Sequence, residues 1–220
     1  MPNENPDSHD GTERLPGNER IVTREFPSTK KGYEEAKAFF TQAITSYYGK
    51  DAPGRTPDRK AIEEVDLEYL EMGYAEVLSN ALFHGNLEYE GKVTDAIKKD
   101  ENDPIWNPKM KVGVRLELRP NGLEATISDE GMGTFDVSRI IKRIAAIKAA
   151  TGPLDPVIFE THERAYLMIA ELYYGSPARM TVHYDEAGNK TGTTVTLTRD
   201  LSKPLEVKSL PEAKDYLVIE

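Results

Sequence analysis

Three polar residues spaced four apart, Glu76, Asn80 and His84, are the part of the sequence best suited to chemistry. On an α-helix, residues four apart lie nearly above one another, so a carboxylate, an amide and an imidazole would form one polar stripe. A second, apolar stripe beside it consists of Tyr74, Val77, Leu78, Ala81 and Leu82. A polar stripe on a core-facing helix is unfavourable unless something polar fills the space it faces. The spacing therefore predicts a ligand site.

A second segment, Asp129-Glu130-Gly131-Met132-Gly133, places a carboxylate at the end of a predicted strand and follows it with two glycines. The apolar residues that alternate along this strand are Leu123, Ala125 and Ile127. Asp129 has the same parity, so we expect it to face the core, where a carboxylate needs a donor such as the adenine amino group. Gly131 and Gly133 would let the backbone turn sharply and approach a ligand. The two segments together predict a site for a nucleotide and its metal.

Two of the three residues in the polar stripe, Glu76 and His84, also have a structural alternative. The amide oxygen of Asn80 suits magnesium, which prefers oxygen ligands and keeps waters and phosphates. Glu76 is placed to accept a proton from an attacking hydroxyl, or else it is a solvated surface charge. His84, which precedes Gly85, either contacts phosphate or ends and packs the helix.

Two strand residues have similar pairs of interpretations. Asp129 either binds a purine or caps an ordinary turn between a strand and a loop. Thr193 shares its parity with Val195 and Leu197, so its hydroxyl is expected to face inward. It either assists a bound base or is a satisfied core hydroxyl.

Composition excludes several classes of function. The chain has 220 residues and a formal net charge of −10, with a pI near 5.0, which argues against a general grip on nucleic acid or an anionic membrane surface. It has no cysteine, so disulfides, thiolate metal sites and thiol catalysis are excluded. The first residues lack a signal pattern, and no apolar run reaches membrane-spanning length. We expect a cytoplasmic protein without direct nucleic acid or membrane contact.

The chain is interpreted as one domain with two tails. Residues 1–19 are polar and predict a disordered arm, residues 20–201 form the domain, and residues 202–220 are a tail without a clear role. Within the domain, residues 87–109 predict an inserted loop or short helix pinned by Trp106. A partner-binding role for Trp106 is the alternative to a loop anchor.

Periodicity predicts helices and strands in the domain. Helices are predicted from a cap at Ser28 or Thr29 to about Tyr48, from near Pro57 to Phe83, over 137–150 and over 160–173. An edge strand is predicted at 21–26, and hairpins are predicted at 110–127, through Asn121-Gly122, and at 180–198. Amphipathic helices with alternating strands favour an α+β fold. The expected architecture is a two-layer sandwich whose mostly antiparallel sheet is covered on one face by helices.

The segments, in this order, resemble the ATP-binding domain shared by gyrase-, Hsp90-, histidine kinase- and MutL-type ATPases, which has the Bergerat-type fold. Glu76-x-x-x-Asn80-Ala81-x-x-His84-Gly85-Asn86 is similar to the Asn box of bacterial anti-sigma factor serine kinases. Asp129-x-Gly131-x-Gly133-Thr134-Phe135-Asp136 resembles their first glycine box, and residues 192–197 resemble their closing strand. The resemblance covers about residues 20 to 201.

This resemblance implies a set of roles and partners. Asp129, assisted by Thr193, would hold the adenine of ATP, Asn80 would hold Mg²⁺, and Glu76 would be the catalytic base. His84, Gly131, Gly133 and Arg164 would complete the nucleotide site. The implied reaction moves the γ-phosphoryl group to a Ser or Thr on a small anti-sigma factor antagonist. The same surface of the family also sequesters a sigma factor, usually as a homodimer.

One segment departs from the family pattern. Where a glycine-rich lid is expected, residues 161–169 carry His162 and Arg164 in place of glycines. Backbone amides that would wrap the phosphates then lose that shape, and Arg164 either compensates as a phosphate ligand or the site does not turn over. The sequence thus leaves two hypotheses, a protein serine kinase and a non-catalytic switch module that acts by holding a protein partner.

Overall fold

A mostly antiparallel sheet with helices packed on one face forms the described part of the chain, which confirms the predicted α+β fold. The structure is a computed structural model, and it describes residues 11–14, 18–53, 57, 59, 61–62, 64–89, 91–131, 173–204 and 217–219. The predicted helix at 137–150 and nearly all of the one at 160–173 lie outside the described residues.

Seven strands of the described residues form one sheet in the order β1-β2-β3-β4-β6-β5-β7. The strands are β1 (Gly11–Arg14), β2 (Arg20–Ser28), β3 (Asn107–Arg119), β4 (Gly122–Asp129), β5 (Arg179–Tyr184), β6 (Lys190–Asp200) and β7 (Leu217–Ile219). All neighbours pair antiparallel except β5 and β7, which are parallel. Both predicted hairpins, β3–β4 and β5–β6, are present.

The helices of the described residues are α1 (Lys30–Tyr48), α2 (Glu64–Ser79), a π-helix (Asn80–Asn86) and the short α3 (Val93–Ile97). The Thr29 side chain accepts a hydrogen bond from the Gly32 amide at 3.0 Å and caps α1, which ends at Gly49 as predicted. The helix predicted from Pro57 begins only at Glu64. Residues ahead of it bond to the end of α1 instead, since the Ile62 amide donates to the Tyr48 carbonyl at 3.3 Å.

Two short strands were not expected. Residues 11–14, in the arm predicted to be disordered, pair with β2 as β1, and residues 217–219 of the tail pair with β5 as β7. The prediction that 21–26 is an edge strand is therefore wrong, because β2 pairs with β1 on one side and β3 on the other. Main-chain hydrogen bonds at a sheet edge do not need an apolar side-chain pattern, so the composition of residues 11–14 gives no sign of β1. Residues 217–219 are Leu, Val and Ile, which favour strands, but a run of three is too short to predict one.

The core lies between the sheet and the helices. The Phe40 ring of α1 stacks on the Tyr74 ring of α2 with centroids 4.1 Å apart. The Tyr74 hydroxyl donates to the Ala36 carbonyl at 3.1 Å, so the buried phenol is satisfied. Trp106 is buried, its Nε1 donates to the Asp100 carbonyl at 2.8 Å, and its ring packs against Phe83. The 87–109 insert is therefore anchored through Trp106, as the loop-anchor interpretation predicts.

The register of the β3–β4 hairpin determines which residues of β4 face the helices. Leu118 pairs with Leu123, Val114 pairs with Ile127, and all four are buried. At the turn, the Tyr48 hydroxyl lies 2.9 Å from the Arg119 carbonyl and 2.5 Å from the Gly122 carbonyl, so α1 holds this end of the hairpin. At the other end of β4, this register brings Asp129 opposite Thr193 of β6, on the inner face.

Candidate functional site

The polar residues predicted to share one α-helical stripe lie across a change of helix type. Glu76 is in α2, whereas Asn80 and His84 are in the π-helix. The amide of Leu87, the residue directly after the π-helix, donates to the Leu82 carbonyl at 3.0 Å. This is the bond between residues five apart that defines a π-helix, a form often found at functional sites. The prediction of one continuous α-helical stripe is therefore wrong beyond Asn80, because the wider turn rotates His84 away from the α-helical position.

Asp129 ends β4 with its carboxyl group directed at the π-helix, as its parity predicts. Burial raises the pKa of this carboxyl group from 3.8 to about 6. The charge of Lys190 and backbone hydrogen bonds from Gly131 and Thr193 act in the opposite direction without cancelling the effect of burial. The Gly131 amide donates to Asp129 Oδ1 at 3.0 Å. A carboxylate in this environment gains from a further donor, which is what an adenine amino group supplies.

Three glycines allow the backbone to close around Asp129. A Cβ atom added to Gly85 of the π-helix would lie 2.6 Å from Asp129 Cγ, and one added to Gly131 would overlap the Gly85 carbonyl oxygen. A Cβ atom on Gly192 would overlap the Asp129 carbonyl oxygen. The π-helix, the turn after β4 and the start of β6 thus meet at van der Waals distance. Sequence reasoning placed Gly85 and Gly192 in motifs but did not foresee that they pack against Asp129.

Asn80 is oriented by a hydrogen bond to the preceding turn. Its Nδ2 donates to the Glu76 carbonyl at 2.7 Å, and the residue is half-buried. Because the amide nitrogen bonds to the helix backbone, the oxygen is the side-chain atom that can act as a ligand, and a single oxygen ligand suits magnesium. Among the described residues, no group of three or more His, Cys, Asp or Glu side chains is placed to hold a metal ion.

Glu76 is exposed, yet the protein atoms near its carboxyl group displace enough solvent to raise its pKa above 4.5. Its charge in turn contributes to raising the pKa values of Tyr33 and Tyr173, in both of which burial is the main cause. The Tyr33 hydroxyl hydrogen-bonds to Ser79 Oγ at 3.0 Å, and this contact fixes the end of α2 near Glu76. A carboxylate whose pKa is raised is a better proton acceptor than a fully solvated one.

His84 has a structural partner, and Thr193 is buried in the sheet. His84 Nδ1 lies 2.7 Å from the Tyr89 carbonyl oxygen, a contact that fits the packing alternative, and contact with phosphate stays a prediction. Thr193 is buried opposite Asp129, as its parity predicts. Gly133, His162 and Arg164 lie outside the described residues, so their predicted roles are untested.

Comparisons with known proteins do not assign this chain to a family. No protein-family model matches the chain, and no curated protein sequence matches it. Among solved structures, a chain of the SiaB–SiaC complex from Pseudomonas aeruginosa is similar, with a TM-score of 0.42 and 11% sequence identity over 80% of this chain and 88% of that chain. A likeness of this degree carries no argument about function. Within the part of the chain that the structure describes, no helix has both the length and the apolarity of a membrane span.

Proposed function

We propose that this protein binds ATP with Mg²⁺ and acts as a protein serine/threonine kinase of the anti-sigma factor type. It would phosphorylate a small antagonist protein and thereby regulate a sigma factor by partner switching. The observation that carries the proposal is the Asp129 carboxyl group, which faces the helices at the strand end, has a raised pKa and lies among three closely packed glycines. This arrangement supports recognition of a purine amino group next to the helix that carries Asn80 and Glu76.

The chain's own residues divide the reaction between them. Asp129 accepts a hydrogen bond from the adenine amino group, and Thr193 lies opposite it. The Asn80 oxygen would hold Mg²⁺, which would supply neutralisation of charge on the phosphates. Glu76 accepts the proton of the attacking Ser or Thr hydroxyl. As the bond from that oxygen to the γ-phosphorus forms, the bond to the bridging oxygen breaks and ADP leaves with the electron pair.

A second candidate is a non-catalytic switch module that binds nucleotide, or none, and acts by holding its partner. The residues that favour it are His162 and Arg164, which stand where the resembling family has lid glycines. The two candidates differ in whether phosphate reaches the partner. In both, a homodimer is the proposed assembly, and light scattering of the purified chain measures it directly.

Calorimetric titration with ATP and ADP, with and without Mg²⁺, tests nucleotide binding. The wild type should bind, and Asp129→Ala should abolish the heat of binding. Asp95→Ala, which changes an exposed aspartate paired with Lys98 on α3, is the control and should bind as the wild type does. Absence of heat with the wild-type protein would end the nucleotide hypothesis.

Transfer of labelled phosphate tests catalysis. With a candidate antagonist and ATP labelled at the γ-phosphate, label should reach the antagonist, and Glu76→Gln should stop transfer while leaving ATP affinity unchanged. Glu68→Gln, on an exposed position two turns earlier in α2, is the matched control. Undiminished transfer by Glu76→Gln would refute the base assignment. Binding without transfer in the wild type would favour the switch module.

A further inference from the structure

Asn86, the last residue of the π-helix, is buried and makes three side-chain hydrogen bonds of 2.8 Å each. Its Nδ2 donates to Ser28 Oγ at the end of β2 and to the Lys111 carbonyl in β3. Its Oδ1 accepts from the Glu130 amide in the turn after β4. One side chain therefore connects the π-helix to the end of β2, to the backbone of β3 and to the turn after β4.

These bonds use the full donor capacity of the amide together with its acceptor. Asn has two N–H donors and a carbonyl oxygen, and here each faces a partner of the opposite kind. An aspartate of the same shape would present an oxygen to the Lys111 carbonyl, and an apolar residue would leave the Glu130 amide without this acceptor. Ser28 is itself fully buried, so its hydroxyl also depends on this contact.

The side chain of Glu130 makes a second connection between the turn after β4 and β3. Glu130 Oε2 accepts from the Lys111 amide at 3.0 Å, while the Lys111 carbonyl accepts from Asn86. Asn86, Lys111 and Glu130 thus form a closed ring of hydrogen bonds. Glu130 lies between Asp129, whose carboxyl group faces Gly85, and Gly131, whose amide donates to that carboxyl group. A shift of the Glu130 peptide would move both neighbours.

We propose that Asn86 is a positioning residue that holds the turn at 129–131 against the π-helix, and so fixes the Asp129 carboxyl group in the orientation that binds its ligand. The identity of that ligand as an adenine nucleotide rests on the proposed function. The positioning itself does not.

Two variants and a matched control test this role. Asn86→Asp keeps the shape but removes both donors, and Ser28→Ala removes one acceptor and leaves the other two bonds. Tyr48→Phe is the control, because it removes a buried hydroxyl that holds the same hairpin at its opposite end. The first readout is amide hydrogen exchange of Glu130 and Gly131 by NMR without nucleotide. The second is the Kd for ADP with Mg²⁺ at a temperature where each variant is folded.

Loss of a buried hydrogen-bonding group corresponds to about a tenfold effect or more, so Asn86→Asp should raise Glu130 amide exchange and the Kd for ADP by about that factor. Ser28→Ala should change both in the same direction by roughly threefold, consistent with the low end of single hydrogen-bond effects. Tyr48→Phe should lower thermal stability but leave both readouts unchanged. If Asn86→Asp does not fold, the Ser28→Ala comparison with Tyr48→Phe decides the question.

Unchanged Glu130 exchange in Asn86→Asp, or an effect no larger than that of Tyr48→Phe, would overturn the positioning role. If the wild type binds no nucleotide, the proposed function fails. In that case the amide exchange of Glu130 and Gly131 still decides whether Asn86 positions the turn.

Discussion

At the scale of single residues, Asp129 links the proposed chemistry to the stability of the fold. Folding raises the pKa of its carboxyl group from 3.8 to about 6, with burial as the main cause. Between these values the folded chain binds more protons than the unfolded chain, so this residue makes the fold less stable as pH rises. The penalty is absent below the unfolded pKa and complete above the folded one.

Asp129→Asn should therefore be more stable than the wild type at pH 7.5. The gain is about 2–3 kcal/mol, since the pKa shift is about two units and each unit corresponds to roughly 1.4 kcal/mol. Asn retains one oxygen that can accept from the Gly131 amide, but its nitrogen cannot accept from the Thr193 backbone, so this value is the upper limit of the gain. Urea unfolding at pH 7.5 and pH 4.5 measures it, and the difference should shrink at the lower pH. Equal differences at both pH values would contradict the burial argument.

The same carboxyl group should release a proton when nucleotide binds near pH 6. A donated hydrogen bond from adenine favours the ionised form and lowers the pKa of the Asp129 carboxyl group. At pH 6 roughly half of the sites carry the proton beforehand, so up to about half a proton per site should be released. Calorimetry in two buffers of different ionisation enthalpy measures this release, which Asp129→Asn should remove. Proton uptake instead of release would argue against this mode of recognition.

The inward direction of Asp129 was predictable, because its parity with Leu123, Ala125 and Ile127 leaves one choice of face. One of its donors was predictable, since the Gly131 amide reaches it within the local turn that the cap interpretation describes. The Thr193 backbone was not, because it reaches Asp129 only when β4 and β6 pair. Asn86 gave no usable signal either. It ends the segment that resembles the Asn box, but its bonds could not be predicted, because all three of its partners are distant in sequence.

At the scale of elements, the π-helix and the turn after β4 can pack at van der Waals distance because the residues that meet there, Gly85 and Gly131, have no side chains. Gly131→Ala would place a Cβ against the Gly85 carbonyl oxygen, a backbone atom that cannot move alone. We expect a loss of about 1–3 kcal/mol in the free energy of unfolding, as for other overpacked sites, and a marked loss of ADP affinity. Urea unfolding and calorimetry measure the two effects.

Gly11→Ala is the control for this substitution, since an added Cβ there meets nothing within 4 Å. It should leave both quantities close to the wild-type values. Wild-type stability and affinity in Gly131→Ala would show that the two backbones tolerate separation, which would remove the packing argument for these glycines.

Elements differ in how far the sequence reveals them. The β3–β4 hairpin follows from Asn121-Gly122 between two alternating runs. The π-helix does not, because the apolar positions near Val77 and Leu82 fit an α-helix equally well. The change at Asn80 accompanies contacts between Gly85 and β4, which only the tertiary structure provides.

At the scale of the whole molecule, the tail contributes an edge to the sheet. Residues 217–219 pair with Met180–Val182 in β5. Truncation after residue 204 should remove this strand and lower the free energy of unfolding by about 1–3 kcal/mol, the net value of a few backbone hydrogen bonds. Removal of Glu220 alone is the control, and urea unfolding compares the two. Equal stability of the two truncated chains would show that β7 contributes nothing to the fold.

The β3–β4 hairpin limits the insertions and deletions that this sequence can accept during evolution. Side chains of β4 alternate between faces from Gly122 to Asp129, and the turn end is held by Tyr48. Gaining or losing a single residue between these points would turn the acid to the opposite face of the sheet. Homologues that keep the acid inward should therefore differ in the length of this hairpin by an even number of residues, or carry a β-bulge that absorbs the odd one.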